Sequence, residues 1–161
     1  MSNRYTTKQM GDACEMLVAA EMTLAGVPAM KMPDNWPGYD VIAQPTDGRE
    51  PQRISVRSRT YKAAEGHWLD YDAKSELDWL AVVLLPGPGQ ASRRIFIIPK
   101  VVSDERLHHP KGKDPNDKYC RIDRVAETFA EFENNFSLVT PARSTLESKV
   151  AHYRSLGSGF I

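Results

Sequence analysis

Apolar side chains recur every three or four positions at the start of the chain, at Met10, Ala13, Cys14, Leu17, Val18 and Leu24. That is the period of one helix face. Thr6 followed three residues later by Gln9 forms a capping-box pattern, so a helix is predicted over residues 6–25, closed by Gly26. Residues 27–32 read as a short extended stretch. The segment Pro33-Asp34-Asn35-Trp36-Pro37-Gly38 then forbids regular structure and predicts a constrained loop. Beyond it the period falls to two. Residues 39–44 read as a strand, 45–48 as a hairpin-type turn, and 52–58 as the antiparallel partner strand. The continuously apolar run 79–85 fits a central strand covered on both faces. Residues 94–99 form the next strand.

The polar, Pro-, His- and Lys-containing stretch 103–118 reads as a long surface loop. A helix is predicted over 123–134 with Val125, Phe129 and Phe132 on one face, and a last one from the capping box Ser144/Glu147 to about Leu156. The order helix, five strands, two helices predicts an α/β fold, a mixed sheet of about five strands flanked by helices without regular βαβ alternation.

With 161 residues the chain is about one domain by length, taken as 1–161. Its 21 Lys+Arg balance 21 Asp+Glu, which excludes a polybasic protein that binds through bulk charge. Cys14 and Cys120 lie far apart and outside any CxxC or Cys/His cluster, so neither a disulfide framework nor a zinc site is expected. No apolar run is long enough to span a bilayer, and no signal peptide opens the chain. A cytoplasmic protein with no membrane partner is expected.

Local charge says more than the total. Side chains two apart in a strand share a face, so Arg53, Ser55, Arg57 and Arg59 project together, away from Ile54, Val56 and Ser58. A hairpin register can bring Asp40 opposite Ser55 to Arg57. Two readings are open: a solvated sheet face with Asp40 as a surface ion pair, or a phosphate-binding face. Arg49 and Lys62 extend the basic run, and Lys111, Lys113 and Lys118 with His108 and His109 form a second one, from which a nucleic-acid backbone could be contacted. Trp36 is placed either to stack on a base or to anchor its own turn.

Gly11-Asp12-Ala13-Cys14-Glu15 on the first helix, Gly26 closing it, Gly38-Tyr39-Asp40-Val41-Ile42 on one strand and Ile54-Ser55-Val56-Arg57-Ser58 on the next resemble the PD-(D/E)XK nuclease superfamily. The likeness is to its restriction-endonuclease-like and Holliday-junction-resolvase-like branch and covers roughly residues 8–100, with the C-terminal helices over about 123–156 beyond it. It implies a restriction-endonuclease-like core and a Mg²⁺-dependent DNA endonuclease. Asp40 and Glu15 would be the metal ligands, and Ser55 and Arg57 would stand at the remaining catalytic positions. Nucleic acid, DNA above all, would be held by Arg53, Arg57, Arg59 and Lys62, and a homodimer would address two strands.

Two positions depart from the pattern. Ser55 stands where an acidic or amide ligand is expected, and a hydroxyl is a poorer ligand for a hard cation. Arg57 replaces lysine; its guanidinium cannot act as a base but can grip a phosphate. The alternatives are that a carboxylate from elsewhere completes the site, or that cleavage is lost and a catalytically inactive binding or protein-interaction module remains. Glu21, near the centre of the helix's apolar face, could pair with a hairpin arginine or serve as a displaced ligand. Asp34 could reach the same pocket or be a turn residue only.

Overall fold

The computed structural model describes residues 4–62, 67–108 and 114–141. Helix α1 spans Thr7–Leu24 and starts as its sequence dictates. The Gln9 N–H donates to the Thr6 hydroxyl at 3.1 Å and the Thr6 N–H to the Gln9 side chain at 2.8 Å. A cap of this kind contributes about 1 kcal/mol. At the other end Gly26 adopts φ +93°, and the Val27 N–H reaches back to the Met22 carbonyl at 2.9 Å. This left-handed helix stop favours glycine.

The strands are β1 (Ala29–Lys31), β2 (Val41–Ala43), β3 (Gln52–Thr60), β4 (Trp68–Asp72), β5 (Trp79–Leu85), β6 (Arg94–Pro99) and β7 (Asp117–Arg121). Helix α2 (Lys100–Arg106) follows β6, and α3 (Val125–Thr128) follows β7 between two 3₁₀ turns. The main sheet has the order β1-β2-β3-β5-β6. β1, β2 and β3 run antiparallel in turn, β5 lies parallel to β3, and β6 returns antiparallel to β5. A second, two-stranded sheet pairs β4 with β7.

Two apolar cores sandwich the main sheet. Cys14, Val18 and Met22 of α1 pack on Val41, Ile54, Val56, Ala81, Val83 and Ile97. On the other face Leu80, Val82, Phe96 and Ile98 meet Leu69 and Tyr71 of β4 together with Val102, Ile122, Phe129 and Phe132. β5 thus alternates between two cores, which is why its sequence is apolar throughout.

Three expectations need correction. Residues 103–118 are not one loop: they hold most of α2, whose Val102 is buried, and the start of β7. β4 was not anticipated at all. The helix expected over 123–134 is broken into 3₁₀ turns and the four-residue α3, because Phe129 leaves the helical region at φ −123°, ψ 27°. Val125, Phe129 and Phe132 are all buried nonetheless. The helix expected over 144–156 lies outside the described residues. Among the described residues no helix is long and apolar enough to cross a membrane.

Candidate functional site

β2 and β3 part company at Asp40. Its backbone N–H still pairs with the Ile54 carbonyl at 2.9 Å, but the next β3 donor, the Val56 N–H, meets the Asp40 carboxylate at 2.7 Å instead of a backbone oxygen. The side chain therefore stands in for a missing length of strand, satisfying a donor that would be costly to leave unpaired. The Ser55 hydroxyl reaches the same Asp40 oxygen at 3.4 Å, and the Arg57 guanidinium donates to the Ser55 hydroxyl at 3.1 Å. Arg57, Ser55 and Asp40 form one hydrogen-bonded row across the divergence.

Glu15 approaches from α1. It lines a cavity of about 370 Å³ with Asp12, Lys31, Asp34, Trp36 and Asp40. Burial pushes the Glu15 carboxyl above its ordinary value, and the nearby Asp40 and Asp12 charges push the same way against the opposing pull of Lys31. Glu15 and Asp40 thus line one pocket, and Ser55 and Arg57 join Asp40 through hydrogen bonds from the face of β3 turned away from α1.

The cation partners differ from the expectation. The Lys31 ammonium, at the end of β1, lies 3.1 Å from Glu15, 3.2 Å from Asp34 and 3.8 Å from Asp12. Lys8 bridges Asp12 and Asp34 from the helix. The hydrogen bonds that Lys31 donates to Glu15 and then Asp34 hold it above the ordinary lysine range, so it is a cation at neutral pH and no base. Sequence reasoning missed Lys31. The signal lies in the pairing Lys31↔Val41: residues directly opposite share a face, and Val41 faces α1.

The arginine row also differs from a solvated face. Ile54 and Val56 do face α1, so Arg53, Arg57 and Arg59 project from the opposite face, the last two towards β4. Arg53 makes a two-pronged ion pair with Asp78. Arg59 is paired with Asp70 at 2.8 Å. Arg57 donates only to neutral oxygens, of Ser55, Val56 and Asp70's backbone, and has no carboxylate partner among the described residues. Lys62 is exposed beyond the end of β3. Arg49 ties Asp47 to the Leu138 carbonyl and is structural.

Other candidates fall elsewhere. Glu21 lies in a separate cleft with Arg93, Ile95 and Phe136, and pairs with none of the hairpin arginines. Asp34 does reach the pocket, held by Lys8 and Lys31 below the ordinary carboxylate range. Trp36 is 46% exposed at the pocket rim, edge-on to Tyr39. Lys111, Lys113 and His109 lie outside the described residues. Both cysteines are buried and free; burial pushes the Cys120 thiol up to about 11.

The residues do not fit a divalent ion. Mg²⁺ asks for a near-octahedral set of oxygens at about 2.1 Å. Among the described residues no three His, Cys, Asp or Glu side chains stand together as a metal-holding group. Glu15 is engaged by an ammonium, one Asp40 oxygen by the backbone, and the buried Ser55 hydroxyl by Arg57.

Two solved nuclease structures align with part of the chain. A bacterial homing endonuclease matches over 66% of this chain and 86% of its own, with 14% sequence identity and a TM-score of 0.44. A Holliday junction resolvase from the archaeal hyperthermophile Archaeoglobus fulgidus matches over 71% of this chain and 89% of its own, with 16% identity and a TM-score of 0.43. No family model and no curated protein matches the sequence. By its own strand order, with an antiparallel β1-β2-β3 meander under α1 and β5 parallel to β3, the chain is an α/β protein built on a mixed five-stranded sheet flanked by helices.

Proposed function

We propose that the protein binds nucleic acid, DNA above all, by gripping a backbone phosphate at Arg57, and that it does so without metal-dependent cleavage. The observation that carries this reading is that Arg57 has no carboxylate partner among the described residues. Of three guanidinium groups on one strand face, two are neutralised by carboxylates and the third is not. A half-buried guanidinium backed by a hydroxyl suits a phosphate, which accepts two parallel N–H bonds. Lys62, exposed beyond the end of the same strand, adds a second backbone contact.

Cleavage is left out because its parts are missing. Ser55 and Arg57 supply neither a hard-cation ligand nor a base, and Lys31 already occupies Glu15. The reading agrees with the neutral total charge: affinity would be local, with few phosphate contacts and a shallow salt dependence.

Electrophoretic mobility shift with labelled duplex and branched DNA at several salt concentrations tests it. Arg57→Ala should weaken binding about tenfold, the loss expected for one charge-assisted contact, and flatten the salt slope. Unchanged binding would remove Arg57 from the interface. Nicking of plasmid in Mg²⁺ or Mn²⁺ that disappears in Asp40→Asn would restore the endonuclease reading.

A further inference from the structure

The pocket under α1 holds four carboxylates, Asp12, Glu15, Asp34 and Asp40, and two lysines. The lysines are unequal. The Lys8 side chain is 66% exposed and bridges the rim, whereas that of Lys31 is 21% exposed and sits inside. An ammonium has three donors. Those of Lys31 are matched by three oxygens, from Glu15 at 3.1 Å, Asp34 at 3.2 Å and the Met32 carbonyl at 3.3 Å, with Asp12 further off at 3.8 Å. These oxygens come from a helix, a loop and a strand end, so one half-buried cation ties together elements that Lys8 bridges only at the rim.

These oxygens stand at hydrogen-bond distance from the Lys31 ammonium and take up its three donors. We infer that Lys31 is the pocket's built-in cation: its ammonium fills the place between Glu15 and the neighbouring carboxylates that a divalent ion would need, and so closes the pocket to metal. The inference deepens the proposed function, since it supplies the reason why a nuclease-like corner binds without cleaving. A lysine on a strand end is covalently supplied to the site, so a soluble cation competes against a partner of high effective concentration. Removing the lysine's charge leaves four carboxylates facing Lys8 alone, a pocket that repels itself unless a cation enters.

Lys31→Met keeps the apolar stem and removes the charge; Lys31→Ala removes both. Free Mn²⁺ measured by electron paramagnetic resonance during titration reads binding directly, and thermal unfolding with and without Mn²⁺ reads its coupling to folding. The wild-type protein is expected to take up no Mn²⁺ at about 1 mM, the weak end of protein cation sites, and to show no shift in Tm. Lys31→Met should unfold at lower temperature in chelator, recover with Mn²⁺, and bind at least about tenfold tighter than wild type, the mass-action minimum for a resolvable shift. Adding Glu15→Gln to Lys31→Met should remove that gain.

Wild-type binding equal to that of Lys31→Met overturns the inference, as does Lys31→Met without Mn²⁺ uptake. Should both lysine variants fail to fold, Mn²⁺ broadening of amide resonances in the wild-type protein decides: broadening centred on Glu15 and Asp40 overturns the inference, and its absence there supports it. Neither readout involves nucleic acid. Failure of the Arg57 mobility shift would therefore leave this result standing, and failure of the Mn²⁺ experiment would leave Arg57 as a phosphate contact.

Discussion

Two aspartates flank β3, one on each side, and do the same local work with different outcomes. Asp40, just before β2, accepts the Val56 N–H at 2.7 Å; Asp78, just before β5, accepts the Arg53 N–H at 2.8 Å. Each extends the sheet by one hydrogen bond where the neighbouring strand has not begun. Asp78 is then saturated by the Arg53 guanidinium, whose hydrogen bonds run to both of its oxygens. Among the described residues Asp40 has no ion-pair partner, and the Arg57 guanidinium stops at Ser55. A paired aspartate is finished structure, and an unpaired one beside an unpaired arginine is a place where a ligand changes the balance. It follows that an aspartate at position 40 is no marker of hydrolysis here, since the sheet itself depends on it.

The comparison can be broken in order of size. Asp78→Ala should have the largest effect, about 2–3 kcal/mol by urea denaturation, because it strands a β3 N–H and leaves the Arg53 guanidinium with only the longer pair to Glu76. Asp40→Ala should lose about 1–2 kcal/mol, the desolvation cost of one backbone donor without its acceptor. A loss as large as that of Asp78→Ala would mean that Asp40 is also charge-paired. Asp40→Asn retains an acceptor and should lose less than about 1 kcal/mol, which makes it the better variant for functional assays.

Acid titration gives a finer contrast. Burial opposes ionisation of Asp78, but the hydrogen bonds and charge of Arg53 outweigh it and hold the carboxyl below 3.8. A depressed folded value stabilises the protein above the unfolded value and is lost as pH falls through the folded one. Below about pH 4 the wild type should therefore lose stability more steeply than Asp78→Asn; parallel profiles would show that the pair adds nothing. The smallest effect belongs to the pocket rim. Lys8→Ala should leave the urea midpoint unchanged, as exposed pairs are worth little.

Much of this was legible in sequence, and what was not has a common cause. β5 and β6 match their expected bounds because unbroken apolar runs need two cores, and α1 was marked by its cap and period. The strand alternation likewise put Asp40, Ser55 and Arg57 within reach of one another. β4 alternates cleanly, with Leu69 and Tyr71 buried between exposed Trp68, Asp70 and Asp72, yet it pairs with β7 far along the chain, whose one buried residue is Cys120. Neither strand announces itself alone. Lys31 was hidden for the same reason: its carboxylates sit on a helix and a loop, and only packing of α1 over β1 brings them within reach. The ion pairs of Arg53 and Arg59 depend on Asp78, just before β5, and Asp70 in β4, so a row of arginines looked more exposed than it is.

The β4–β7 ribbon has a consequence in time. Its backbone ladder joins β4 to β7 and to no strand of the main sheet, and its links to that sheet include the carbonyls of Trp68 and Asp70, which hold the Arg59 and Arg57 side chains of β3. Local opening free energies differ between such units. Ribbon amides should exchange with solvent sooner than those shared by β3 and β5, and each opening frees the Arg57 guanidinium from its strand while the sheet beneath stays folded. Arrival of a phosphate would then be gated by the ribbon's breathing rate rather than by unfolding of the molecule.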